Sequence, residues 1–174
     1  MEPIVALGTN VAFGGASGGT LLARAAEALG PHGLIVRRRS SFWLSPAWPD
    51  PSDPPFVNAC MAVAAPGLDP PGLLTVLHEV EAAFGRVRGR RNAPRTLDLD
   101  LIAWGDLIIE DGGGLEIPHP RLAGRAFVLA PLSEIVPGWR HPRTGESVEA
   151  LLQAAADRDQ VRRWGGWDDR SAWP

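Results

Sequence analysis

The sequence predicts an α+β fold: one antiparallel sheet with two helices on one face. Two observations carry this reading. Short apolar segments of strand character and two helical stripes follow one another in the order β-α-β-β-α-β. The run Pro94 to Leu101 also alternates leucine with aspartate, which is the period of a strand that buries one face.

The elements follow in chain order. Pro3 to Gly8 is a short apolar strand, and Asn10 to Gly19 a glycine-rich loop. Thr20 to Leu29 places apolar residues at 21, 22, 25, 26 and 29, a helical stripe that Gly30-Pro31 terminates. Leu34 to Ser45 reads as one long strand. Pro46 to Pro55 holds five prolines in ten residues and is a stiff loop. Phe56 to Ala65 is a strand whose alternation sets Phe56, Asn58 and Cys60 against Val57, Ala59, Met61 and Val63. Pro70-Pro71 opens a helix that runs to about Phe84, with Leu73, Leu74, Leu77, Val80, Glu81 and Phe84 near one stripe. After an arginine-rich loop comes the aspartate strand to Trp104, then a short strand at Leu107 to Ile109 and a turn at Gly112 to Gly114. Arg125 to Val136 is helical with an interruption at Pro131, and a last helix covers Val148 to Ala156. The order resembles a ferredoxin-like plait, with the C-terminal helices on the other face. One domain over 1–160 is expected. The tail 161–174, with Trp164, Trp167 and Trp173, has no readable period and no assigned role.

The totals narrow the function. A chain of 174 residues with 45% hydrophobic content can bury a sizeable core. A net charge of -3 gives no general affinity for nucleic acid or anionic membrane. Neither a signal peptide nor a membrane-spanning run is legible, so a cytoplasmic protein is expected. Cys60 is the only cysteine, which excludes an internal disulfide and a multi-cysteine metal site. All 17 basic side chains are arginine. Without lysine there is no Walker A loop, so any triphosphate is held by another design.

The chemistry concentrates around the aspartate strand. Asp98 and Asp100 share a strand face, while Leu97, Leu99 and Leu101 share the other. Adjacent like charges need a cation or several donors. Arg86, Arg88, Arg90, Arg91 and Arg95 lie just upstream with no acid among them. Carboxylates suited to a hard cation therefore adjoin guanidinium groups suited to phosphate. Each feature also has an ordinary reading: a solvated strand face, a solvated basic loop, core phenylalanines, a structural loop histidine. The glycines at 14 to 19 could precede a phosphate at a helix N-terminus, a weak signal. Asn58 is harder to dismiss, because an amide within a strand needs partners for donors and acceptors.

Taken together, the segments resemble the 6-hydroxymethyl-7,8-dihydropterin pyrophosphokinase family. The resemblance runs from Val5-Ala6-Leu7-Gly8-Thr9-Asn10 through Phe56-Val57-Asn58-Ala59, Glu81, Gly85-Arg86-Val87-Arg88 and Pro94-Arg95-Thr96-Leu97-Asp98-Leu99-Asp100-Leu101. It continues through Ile117-Pro118-His119-Pro120-Arg121 to Arg125-Ala126-Phe127-Val128-Leu129-Ala130-Pro131-Leu132, roughly residues 4 to 137. It implies transfer of pyrophosphate from ATP to the hydroxymethyl oxygen of the dihydropterin, with release of AMP, in folate biosynthesis. It also implies two magnesium ions held at Asp98 and Asp100, and charge stabilisation by Arg86 and Arg95. Nucleotide contacts are implied at Arg88, His119, Arg125, Glu81 and Leu101. The pterin would lie between Phe56 and Phe127, read by Asn58 with help from Gly8, Ser45 and Pro46. The partners expected are these two small molecules, with no nucleic acid, no membrane and a monomeric chain. Two other classes compete. A nucleic-acid-binding plait lacks the aromatic strand signature, and a metal-dependent phosphoesterase has no use for the phenylalanine and asparagine set.

Overall fold

The computed structural model describes residues 2–48, 50–86, 95–110 and 114–168. Its main sheet has the order β5-β1-β4-β3-β8, with β2 also paired to β4. These strands are β1 (Pro3–Thr9), β2 (Ile35–Arg39), β3 (Phe42–Ser45), β4 (Phe56–Ala64), β5 (Asp98–Trp104) and β8 (Arg162–Gly165). Every pairing is antiparallel. Helices α1 (Gly18–Ala28) and α2 (Pro70–Ala83) follow β1 and β4. Helices α3 (Ala126–Ile135) and α4 (Val148–Ala154) come after β5.

Strand alternation splits the core in two. Val5 and Leu7 of β1, Val57, Ala59, Met61 and Val63 of β4, and Leu99 and Leu101 of β5 meet Leu22 and Ala25 of α1 and Leu73, Leu77 and Val80 of α2. Ile4, Ala6, Cys60 and Ala62 face the other way, toward Ala126, Leu129 and Leu132 of α3 and Val148 and Leu151 of α4. With protein on both faces, β1 is buried throughout, which explains its unbroken apolar run. Gly19 of α1 lets the helix approach the sheet: a Cβ there would sit 2.6 Å from the Phe42 ring.

Several expectations need correction. Leu34 to Ser45 is two strands, because the register against β4 slips by one residue between Val36 and Arg38 and again between Arg39 and Trp43. At the second slip the Ser40 hydroxyl accepts the Cys60 N–H (2.9 Å), while Ser40 N–H donates to Cys60 O (3.0 Å). The two slips let Leu34, Val36, Phe42 and Leu44 share one core while Arg38 faces outward to Ile135 O. The strand expected at Leu107 to Ile109 is instead β6 (Ile109–Glu110), paired with β7 (Glu116–Ile117) in a separate two-stranded sheet. Residues 111–113 of the expected turn lie outside the described residues. Helix α3 runs through Pro131 without a break. Its buried Val128, Leu129, Ala130, Leu132 and Ile135 offset the one backbone bond the proline removes.

The glycines before α1 form a tight turn. Phe13 and Ala16 exchange backbone bonds of 2.8 and 2.9 Å across Gly14-Gly15, both at positive φ. The described part of the tail, to which the sequence assigns no role, adds a strand to the main sheet. Strand β8 pairs with β3, Trp167 Nε1 donates to Ser40 O (2.6 Å), and the Trp164 and Trp167 rings pack on Phe42 at 6.3 and 4.8 Å. Residues 169–174, including Trp173, lie outside the described residues.

A histidine in the loop before α4 makes stability depend on pH. His141 is buried, its Nδ1 accepts the Arg143 N–H (3.3 Å), and burial holds its pKa below the usual histidine value. Because the unfolded chain binds the proton more tightly, this contribution is complete above about pH 6.5 and is lost as pH falls through the lower folded value. Thermal melts of wild type and His141→Asn between pH 7.5 and 5 should diverge in slope, the variant losing less stability on acidification. Parallel slopes would remove His141 from the pH response.

Candidate active site

The ends of β1, β4 and β5, the start of α3 and the loop after β3 enclose a cleft of about 610 Å³. That volume suits a ligand of drug or nucleotide size. Two chemically different poles line it.

One pole is ionic. Asp98 and Asp100 project from β5 on the same face, opposite the leucines, as alternation requires. Arg86, just past the end of α2, bridges Glu81 and Asp98 Oδ1. Arg95 Nη1 lies 2.7 Å from Asp98 Oδ2. Arg125 Nη1 lies 3.8 Å from Asp100 Oδ2. Asp98 is thus engaged through both oxygens, whereas among the described residues Asp100 has one longer ion contact, to Arg125. Removal from water, and next the charge of Asp98, raise the Asp100 pKa above the ordinary carboxylate value. Burial likewise pushes Glu81 up to about 7, against the Leu99 N–H it accepts at 2.7 Å and the Arg86 charge. His119 Nδ1 accepts the Arg121 N–H (3.1 Å), which leaves Nε2 as the ring's donor when the imidazole is neutral. Burial lowers its pKa despite nearby Asp100, so the neutral form is favoured.

The other pole is aromatic and amide. Phe56 and Asn58 reach the cleft from β4, and Phe127 from α3. Asn58 Nδ2 donates to Ser45 Oγ (3.0 Å), which fixes the amide against β3. The Arg125 guanidinium lies 5.6 Å from the Phe127 ring centre and joins the two poles. Gly8 sits between them: a Cβ there would lie 3.5 Å from Asn58 Oδ1 and 3.9 Å from Asp98 Cβ.

The structure therefore gathers Gly8, Ser45, Pro46, Phe56, Asn58, Arg86, Arg95, Asp98, Asp100, His119, Arg125 and Phe127 around one cleft. Glu81 stands behind it and holds Arg86 and the β5 backbone. Leu101 is 4% exposed and its side chain belongs to the α1/α2 core, on the face away from the aspartates, so a nucleotide contact there is one for its backbone. Arg88 lies outside the described residues, as do Arg90, Arg91 and Asn92. Sequence reasoning missed roles for Trp48, Arg121, Asp157, Gln160 and Val161, which also line the cleft. Trp48 had a signal, as a tryptophan within a proline-rich loop; it is 71% exposed at the mouth. Asp157 and Gln160 had none, because they arrive through the tertiary fold. Asn10, at the end of the Leu7-Gly8-Thr9-Asn10 motif, ties the cleft's flanking segments together. Its Nδ2 donates to Pro54 O (3.1 Å) and its Oδ1 accepts the Arg95 N–H (2.8 Å).

The paired carboxylates suit a hard cation that arrives with phosphate oxygens. Magnesium is held by one or two carboxylates plus phosphates and water. Among the described residues no group of three or more His, Cys, Asp or Glu side chains could hold a metal without such help.

Fold and cleft together define a mixed α/β protein with an antiparallel sheet, in which one cleft joins a carboxylate–arginine pole to an aromatic–amide pole. A family model described as 7,8-dihydro-6-hydroxymethylpterin-pyrophosphokinase (HPPK) matches residues 4–137, and the chain belongs to that family. The 2-amino-4-hydroxy-6-hydroxymethyldihydropteridine pyrophosphokinase of Synechocystis sp. is 44% identical over 121 residues, 70% of this chain and 60% of that one. The Methylorubrum extorquens protein of the same name is 43% identical over 105 residues, 60% of this chain and 65% of its own length. The chain thus spans less than two thirds of each of these relatives. A crystal structure of Plasmodium falciparum HPPK-DHPS superposes with a TM-score of 0.67 over 92% of this chain and 47% of that one; at 13% identity the likeness speaks to the fold alone.

Proposed function

We propose that the protein transfers pyrophosphate from ATP to the 6-hydroxymethyl oxygen of 7,8-dihydropterin and releases AMP, a step of folate biosynthesis. The observation that carries this reading is the meeting of the two poles in one cleft, with Gly8 between Asn58 and Asp98. A flat polar heterocycle fits between Phe56 and Phe127 and is read at its edge by Asn58. Its hydroxymethyl arm then points toward the arginine and aspartate groups. Asp98 and Asp100 would hold two magnesium ions, which neutralise charge on triphosphate oxygens. Arg86 and Arg95 would leave Asp98 for the transferring phosphates, and Arg125 and His119 would bind the nucleotide; their grouping around Asp98 and Asp100 supports this reading. Phosphoryl transfer demands little beyond such positioning and charge neutralisation.

The sheet order supports the finer reading of a ferredoxin-like plait, with β2 and β3 sharing the place of one strand. One chain supplies both poles, which supports action as a monomer. Small-molecule substrates and a free buried thiol accord with a cytoplasmic setting. Among the described residues no helix is long and apolar enough to cross a membrane.

Phosphorus NMR of protein mixed with ATP, magnesium and the hydroxymethyl dihydropterin tests the reaction. It should show AMP and a pterin diphosphate ester in equal amounts, only when all components are present. Formation of ADP, or AMP release without pterin, would refute it.

The ring site makes a separate prediction. Phe127→Ala should weaken pterin binding by about 10-fold or more, given lost stacking and burial. It should change the melting temperature little. An ordinary core phenylalanine would instead cost about 3–5 kcal/mol of stability. A large fall in melting temperature with unchanged affinity per folded molecule would return Phe127 to the core.

A further inference from the structure

We propose that Asp157 is a positioning residue for the ring-binding half of the cleft, acting through the first residue of α3. Asp157 lies beyond the stretch the family model matches. The inference rests on the pterin reading for its functional consequence, but the contact itself does not.

Helix α3 begins without a side-chain cap of its own, since Arg125 at its N-cap makes no capping bond. The free N–H groups of a first turn need acceptors. Asp157 Oδ1 supplies one from 31 residues away, accepting the Ala126 N–H at 3.0 Å. Carboxylate charge at a helix N-terminus is favourable as well. Ala126 stands between Arg125, the N-cap residue, and Phe127, both of which line the cleft together with Val128. Arg125 faces Asp100 at 3.8 Å and the Phe127 ring at 5.6 Å. One bond at Ala126 therefore sets the direction of both side chains.

Asp157 is itself anchored on either side. Arg158 N–H donates to Ala155 O (3.2 Å) just past α4, and Gln160 N–H donates to Asp157 O (3.0 Å). Two residues later β8 begins, and Arg162 and Arg163 pair with Leu44 and Trp43 of β3. Strand β3 carries Ser45, which holds Asn58. The C-terminal segment thus ties the Phe127 wall to the Asn58 wall, and Asp157, Gln160 and Val161 line the cleft between them. This gives the tryptophan-rich segment a purpose: Trp164 and Trp167 secure β8 on Phe42, and β8 holds the Asp157 turn in place.

The test compares Asp157→Ala, which removes the acceptor, with Asp157→Asn, whose amide oxygen keeps it. Hydroxymethyl pterin binding is titrated by ring fluorescence, and exchange of the Ala126 amide is followed by NMR. Loss of the acceptor should weaken pterin binding by about 10-fold or more and speed Ala126 exchange by a similar factor. The asparagine variant should stay within about 3-fold of wild type in both. Unchanged pterin affinity in a folded Asp157→Ala protein would overturn the proposal, as would an asparagine variant as impaired as the alanine one. A fall in melting temperature with normal affinity per folded molecule would also overturn it, reducing Asp157 to a structural role. If wild type bound no pterin, the functional reading would fall, and Ala126 exchange would still decide whether Asp157 holds α3. Should the alanine variant not fold, the asparagine variant carries the test: wild-type affinity and exchange support the proposal, and losses in both refute it.

Discussion

Replacing Asp100 with asparagine should reduce pyrophosphoryl transfer by about 10³-fold or more, the scale of losing a metal ligand or a central electrostatic group, while the folded protein becomes no less stable. The two halves of this result share one cause. Asp100 is half-buried beside Asp98, and both its withdrawal from water and that neighbour's charge raise its pKa. A raised carboxyl pKa means that the folded state binds the proton more tightly than the unfolded chain. Between the unfolded value near 3.9 and the higher folded value, stability therefore falls as pH rises, and the cost is complete once pH exceeds the folded value. Asparagine removes that cost and also the ligand charge that the reaction uses. Activity and melting temperature measured at pH 5 and pH 7.5 check both halves. Near-wild-type turnover at ordinary magnesium concentration would remove Asp100 from the metal site. A variant markedly less stable at pH 7.5 would show that the 3.8 Å contact with Arg125 outweighs the repulsion.

The second large effect is expected at Arg95. Its guanidinium is 2.7 Å from Asp98 Oδ2, and its backbone N–H is held by Asn10 Oδ1 at 2.8 Å. The group is pre-aimed, which is the condition for stabilising charge that develops only in the transition state. Arg95→Ala should lower kcat by about 10²- to 10³-fold, roughly 3–4 kcal/mol, with a much smaller change in affinity for a non-hydrolysable ATP analogue. Equal losses in kcat and in analogue affinity would make Arg95 a ground-state ligand instead. Arg86 should follow the same pattern with an added cost in stability. It shares its charge with buried Glu81, and its loss would leave that carboxyl without a cation.

Much of this site is legible in the linear chain because it is written on strands. Alternation alone separates Asp98 and Asp100 from Leu97, Leu99 and Leu101, and Phe56 and Asn58 from Val57 and Ala59. The same alternation sends the Leu101 side chain into the core and leaves its backbone as the part that a nucleotide could meet. Helix α2 likewise announces its buried stripe of Leu73, Leu77, Val80 and Glu81 through spacing. What alternation could not reveal is a change of phase. The extra residues near Arg37 and Ser40 break one expected strand into β2 and β3, because a serine hydroxyl replaces a ladder bond to Cys60.

By itself, then, the sequence determined the sheet faces, the two helices that cover one of them, and the residue types at both poles of the cleft. These follow from local periodicity and from side-chain chemistry that travels with each residue. Only the tertiary structure decided which distant groups meet. It brought Asp157 to Ala126 across 31 residues, Asn10 to Pro54 and Arg95, and the tryptophan-rich segment to Phe42. No local period encodes such contacts. They form when the burial of apolar faces fixes the elements against one another, and the polar groups then carried together must find partners or leave water unpaired.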